Sequence, residues 1–239
     1  EAEQKAKVIL KGNETSEFEG MHLLDNYLSW TPDGKGIVFV SQSKNRDVIF
    51  IINADNGKIL KEIILPFRSI KDPSLSPDGE YICFIGQTNT QSDVYIYSLK
   101  DKSLKQVTHD VYSERYPKLA AGNTVIFYSS NYPTGDYSSQ QYAIIKHTLT
   151  TNSREVLVPP QSKNLQVDIA KDGTSIVYIS NREGIYNVYQ YDLSTSTETK
   201  ITNASTGIFY PRIFPDAKKI SFVSYQNGGY DIFIKEGSQ

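Results

Sequence analysis

Apolar residues along the chain come in short, repeated bursts. Five of them are Gly36 to Ser41, Tyr81 to Gly86, Thr124 to Ser129, Ser175 to Ser180 and Lys219 to Ser224. Each is rich in β-branched and aromatic residues and follows a turn signal: Pro32-Asp33-Gly34, Pro77-Asp78-Gly79, Ala121-Gly122-Asn123, Lys171-Asp172-Gly173 and Pro215-Asp216-Ala217. Such runs, bounded by turn residues, predict strands. After a polar loop a second run follows in each unit: Asp47 to Asn53, Asp93 to Ser98, Gln141 to His147, Asn187 to Asp192 and Asp231 to Lys235. Four of these open with Asp or Asn, whose short acceptors can bond nearby backbone N–H groups and fix how the chain turns into the strand. A more exposed third strand ends at Ile64, Thr108, Val158 and Thr202, and a short strand (Tyr27 to Thr31, Pro73 to Ser76, Pro117 to Ala120, Val167 to Ala170, Pro211 to Phe214) precedes each turn.

The turns recur at about 45 residues, the period of four-stranded propeller blades, which bury both faces of each small sheet against their neighbours. The expected fold is all-β: a single five-bladed β-propeller of four-stranded antiparallel blades over 1–239, with blades at 26–65, 72–108, 115–158, 164–202 and 208–235. The fifth unit lacks an outermost strand, and Ala6 to Leu10 is an apolar segment without a partner, so the N-terminal strand 6–10 is expected to close the ring by filling that edge. A truncated six-bladed ring is the alternative.

Composition narrows the function classes. The chain has 239 residues with a formal net charge of -2, so no long-range field draws it to nucleic acid. No stretch has the ~18 apolar residues of a membrane span. The start, Glu1-Ala2-Glu3, has neither an initiator Met nor a secretory apolar segment, which reads as a processed or excised chain. The lone Cys83 sits in an apolar run and reads as a small buried hydrophobe. Seventeen Tyr against one Trp suit strands and recognition surfaces.

Ser76-Pro77-Asp78-Gly79-Glu80-Tyr81-Ile82-Cys83-Phe84-Ile85, followed by Ser92-Asp93-Val94-Tyr95-Ile96-Tyr97-Ser98-Leu99, resembles the repeat of the TolB-like, WD40-like "PD40" propellers, and Ser180-Asn181-Arg182-Glu183-Gly184-Ile185-Tyr186-Asn187 with Val188 to Leu193 matches it again. The resemblance covers nearly the whole chain. Blade three has lost its Pro-Asp, blade five has Ala217 in place of Gly, and five units are one fewer than in TolB itself. The resemblance implies a monomeric, non-catalytic scaffold in the periplasm or at the outer membrane that binds a protein or peptide partner, such as a peptidoglycan-associated or outer-membrane protein. It also admits a purely structural spacer domain of a larger OmpA-like envelope protein.

Alternate loops of a propeller share a face, and here the long loops fall together, so recognition is expected on that face. Aligning the innermost strands places Tyr27, Asp72, Tyr116, Gln166 and Tyr210 at one equivalent position around the channel mouth. This collar, with Arg115, Tyr132, Arg182 and Tyr225 on the long loops and the insertion Asn131 to Gln141, makes the predicted binding surface, because Tyr and Arg concentrate binding energy. An equally direct reading of the collar is that its tyrosines plug the channel. Lys118, Asp168 and Arg212 share a second equivalent position, where mutual neutralisation is expected. No Gly-x-Ser-x-Gly or His-Glu-x-x-His motif occurs, and His22, His109 and His147 show no ligand spacing, so no catalytic residue, metal or cofactor is assigned. A propeller glycosidase would need two of Asp25, Asp72, Glu114 and Asp168 facing each other across an open funnel.

Overall fold

The computed structural model describes residues 8–10, 27–89, 91–134, 140–215 and 217–236. Blade 1 comprises β1 (Ser29–Trp30), β2 (Gly36–Ser43), β3 (Arg46–Asn53) and β4 (Ile59–Ile64). Blade 2 comprises β5 (Ser69–Leu75), β6 (Tyr81–Gln87), β7 (Ser92–Ser98) and β8 (Leu104–Gln106). Blade 3 comprises β9 (Glu114–Leu119), β10 (Val125–Ser130), β11 (Ala143–Thr148) and β12 (Ser153–Val158). Blade 4 comprises β13 (Asn164–Ile169), β14 (Ser175–Ser180), β15 (Asn187–Asp192) and β16 (Thr197–Lys200), and blade 5 comprises β17 (Ile208–Ile213), β18 (Lys219–Gln226) and β19 (Gly229–Glu236). Within every blade successive strands pair antiparallel in chain order, giving the five-bladed all-β propeller arrangement that the repeat predicts.

The two-residue period of a strand explains how one sheet serves two neighbours. In β6, Ile82 and Phe84 pack against Val38, Val40 and Ile49 of blade 1, while Cys83 and Ile85 pack against Ile126, Tyr128 and Ile145 of blade 3. In β14, Ile176 and Tyr178 face Phe127 and Ile144, and Val177 and Ile179 face Ile220 and Phe222 of blade 5. Cys83 is fully buried, and its S–H points at the carbonyls of Pro117 (3.3 Å) and Ser74 (3.5 Å). The turns are tied as their composition suggests: Asp33 accepts from the backbone of Lys35, and Asp78 from that of Glu80. Gly34, Gly79, Gly122 and Gly173 all have positive φ, and Ala217 holds the same conformation (φ 57°) without glycine's freedom.

The strand-opening acceptors reach farther than expected. Asp47 accepts from the N–H of Ile70 and Asn187 from that of Ala204, so each fastens its blade to the connection or first strand of the next blade.

The expected closing strand 6–10 is described only in part. Ala6 lies outside the described residues, and Val8 to Leu10 form no strand. Leu10 packs on Phe39, Val48, Phe50 and Ile52 of blade 1, and the Ile9 carbonyl lies against Gly57 of the same blade. That blade 1 face offers Leu10 large aromatic partners, whereas the edge of β19 offers mainly backbone. Among the described residues β19 pairs with β18 alone, and Ile232 and Ile234 stay 77% and 61% exposed.

Candidate functional site

The innermost strands of blades 2 to 5 share one irregularity. Their register slips between Lys71 and Ser74, opposite Phe127 to Ser129 in β9, between Leu165 and Asp168, and between Phe209 and Arg212. At each slip one non-glycine residue takes left-handed φ: Asp72 (53°), Tyr116 (54°), Gln166 (58°) and Tyr210 (54°). Three of the four precede a proline (Pro73, Pro117, Pro211), whose missing N–H suits a position where the ladder is broken. Left-handed non-glycine residues cost about 1–3 kcal/mol each and persist only where the surroundings fix them. These are the collar residues that repeat alignment singles out.

Collar side chains bond from blade to blade. Asp72 Oδ2 accepts the Tyr116 N–H at 3.0 Å, and Gln166 Oε1 accepts the Tyr210 N–H at 2.6 Å. The Tyr116 hydroxyl engages Arg115 and Gln166, and burial, with the Asp72 charge, pushes it up to about 12. Tyr27, only 3% exposed, stands at the axis with its ring centroid 5.5 Å from Tyr116 and 6.1 Å from Tyr210. Arg212 lies over the Tyr27 ring at 4.4 Å and bonds its hydroxyl, and the Lys118 ammonium lies 5.1 Å from the same ring. Burial holds the Tyr27 hydroxyl far above the ordinary phenol range.

The second inward position neutralises itself in part. Lys118 donates to Ser74 Oγ at 2.9 Å and sits 3.8 Å from Asp168, whose other oxygen accepts the Ile213 N–H. Burial, then repulsion from Arg212, lowers the Lys118 ammonium to about 8. Asp72 and Asp168 are therefore committed to backbone or lysine partners, and Tyr27 fills the space between blades; Asp25 lies outside the described residues. The two facing carboxylates of a glycosidase funnel are not formed by Asp72 and Asp168.

Above this plug lies a cavity of about 120 Å³, lined by Tyr27, Asp72, Arg115, Tyr116 and Tyr210 with Ser69, Lys71, Gln87, Ser92, Ser113 and Glu114. It opens where the innermost strands begin, on the long-loop side. Six of the nine expected binding residues thus meet: five line the cavity, and Gln166 braces Tyr210 from below. The other three lie elsewhere. Tyr132 packs edge-on against Tyr112 beneath Arg154. Arg182 bonds Glu198, Ser180 and the Tyr178 hydroxyl and lies 4.2 Å from the Tyr189 ring centroid. Tyr225 stacks edge-on with Tyr230 on the outer side of blade 5. Of the insertion, residues 135–139 lie outside the described ones.

Glu114, which the sequence suggests only as a funnel acid, lies at the cavity wall. Burial, then the charges of Asp110 and Asp93, raises its carboxyl to about 8. Among the described residues these three carboxylates are the one group with geometry for a metal ion, their nearest oxygens all within 4.8 Å of one another.

No family model matches the chain. The Tol-Pal system protein TolB of Francisella tularensis is 26% identical over 215 residues, covering 84% of this chain and 46% of the relative. The crystal structure of TolB from Acinetobacter baumannii superposes with a TM-score of 0.73 at 21% identity, over 87% of this chain and 51% of that one. The chain is a β-propeller similar to TolB in sequence and in fold. It spans about half the length of the curated TolB relatives it matches. The same fold recurs in a puromycin-hydrolyzing peptidase of Mycobacterium tuberculosis, with a TM-score of 0.67 at 15% identity over 87% of this chain and 34% of that one. The TolB-like propeller fold therefore does not by itself fix an activity.

Proposed function

We propose that this propeller is a non-catalytic scaffold of the bacterial cell envelope, working in the periplasm, which captures a protein or peptide segment at the channel mouth. The carrying observation is the collar cavity: the strained, repeat-equivalent Asp72, Tyr116 and Tyr210, with Tyr27 and Arg115 beside them, line a space of about 120 Å³. Small-molecule sites usually enclose ~300 Å³ or more. A space this small accepts one projecting side chain of a partner, with the long loops around it adding contact area. The printed name of the TolB relatives, a Tol-Pal system protein, supports protein partners in the envelope. The axial tyrosine and the internal partners of Asp72 and Asp168 speak against hydrolysis in the channel.

The test is capture from an envelope extract of the parent bacterium, followed by affinity measurement on each retained protein. Tyr116→Ala with Tyr210→Ala is expected to weaken the true partner by a few kcal/mol, as paired tyrosine hot spots do. Unchanged retention by a folded double variant would remove the collar as the site.

A further inference from the structure

Three carboxylates converge beside the mouth, at the seam between blades 2 and 3. Asp93 sits at the start of β7, Asp110 in the connection to blade 3, and Glu114 at the start of β9. Asp93 and Glu114 are buried and Asp110 is half-buried. Asp93 accepts from Gln106 (3.1 Å) and Thr108 (3.3 Å). Asp110 pairs with Arg154 at 2.6 Å and accepts the Tyr112 N–H at 3.0 Å. Glu114 Oε1 accepts from Ser130 at 3.3 Å. Its Oε2 is buried, on a residue only 2% exposed, and has no hydrogen-bond partner among the described residues.

Two considerations make this more than an acidic patch. First, the fold does not require an acid there. The position of Glu114 is Ile70 in blade 2, Ile208 in blade 5 and Asn164 in blade 4. Asn164 satisfies itself by donating to the carbonyls of Tyr142 (2.8 Å) and Pro159 (3.1 Å). A carboxylate has no N–H to give and leaves an oxygen orphaned. Second, the three carboxyl groups have a single ion pair among them, Asp110 with Arg154, and buried polar groups need partners.

We propose that Asp93, Asp110 and Glu114 bind one hard divalent cation, calcium, at this seam. Calcium takes carboxylate and water oxygens at 2.3–2.6 Å, so two oxygens on one ion lie at most about 5 Å apart, in keeping with the observed spread. One cavity, lined by Gln91, Asp110, Tyr112 and Ser113, reaches the group at Asp110, and the mouth cavity reaches it at Glu114. Bound there, the ion ties β7 to β9 and stiffens the connection that frames the mouth.

The test uses the whole chain, stripped with chelator and titrated with calcium chloride by calorimetry at neutral pH, with magnesium chloride in parallel. One calcium per chain is expected, with a rise in thermal midpoint that grows with calcium. Glu114→Gln and Asp110→Asn should each lower affinity at least tenfold while folding as the wild type does. Absence of binding up to about 5 mM calcium, beyond the weak range of extracellular calcium modules, would overturn the site. So would affinity unchanged in both variants, and a preference for magnesium would overturn the calcium assignment.

Discussion

Tyr27 ties the propeller together at its axis, and two substitutions there separate its contributions. Tyr27→Phe removes only the hydroxyl that Arg212 bonds. Arg212 keeps its bond to the Pro211 carbonyl at 3.0 Å but loses a partner in a half-buried setting, a loss of about 1 kcal/mol for a charged donor. Tyr27→Leu keeps the apolar bulk and removes the ring. It gives up two aromatic contacts, with Tyr116 and Tyr210, at about 0.5–1.5 kcal/mol each. It also gives up two desolvated cation–π contacts, with Arg212 and Lys118, at about 1–2 kcal/mol each. With partial relaxation the expected loss is about 3–5 kcal/mol, a large share of the ~5–15 kcal/mol that holds a domain folded. Urea unfolding followed by far-ultraviolet circular dichroism and Trp30 emission measures both, and the slope should stay constant. If Tyr27→Phe matches wild type and Tyr27→Leu costs under about 1 kcal/mol, Tyr27 is only a space filler and the axial seam is held elsewhere.

Four further outcomes follow from the same geometry. Ala217→Gly should stabilise the fold by up to ~1 kcal/mol, since it relieves a left-handed alanine in the blade 5 turn, as read by thermal melting. Gly86→Ala should destabilise by about 1–3 kcal/mol, because its Cβ would lie 2.7 Å from the Phe67 ring and 2.8 Å from that of Tyr95. Cys83, buried and pushed up to about 11, should resist thiol reagents in the native protein and react once urea unfolds it; rapid native labelling would contradict the blade 2–3 packing. Lys118, lowered to about 8 from an ordinary 10.5, binds fewer protons folded than unfolded between those values, so its contribution to stability rises with pH across that window. Met does not titrate, so the stability of wild type relative to Lys118→Met should rise between about pH 8 and 10.5; a pH-independent gap refutes the assignment.

The blades were legible because punctuation and strand runs repeat, and each Asp-Gly turn says where one strand ends and the next begins. The collar was legible for the same reason: equivalent positions in equivalent blades share a radius and a face. Tyr132, Arg182 and Tyr225 were not, since loop membership gives the face but not the distance from the axis, and each has a local partner that sequence does not announce. Of the closing segment only residues 8–10 are described, and there Leu10 is buried on Phe39 and Phe50 of blade 1, a contact that spacing along the chain does not announce. Glu114 lay hidden because burial of an acid breaks the pattern of its own repeat position, and Asp93 and Asp110 come to it through strand register rather than through spacing along the chain.

The collar also shows why one junction of this propeller is unlike the rest. Blades 2 and 4 supply acceptors, Asp72 and Gln166, and blades 3 and 5 supply tyrosines whose N–H groups those acceptors take. An alternation of acceptor and tyrosine closes on itself only with an even number of blades. With five, two tyrosines must meet, and they do so between blades 5 and 1, where Tyr210 faces Tyr27. There Arg212 supplies the missing link through the Tyr27 hydroxyl and ring face. The same junction lacks an apolar cluster shared by the two blades among the described residues, whereas every other pair of successive blades has one. Tyr210, 42% exposed, is thus the most exposed of the collar side chains.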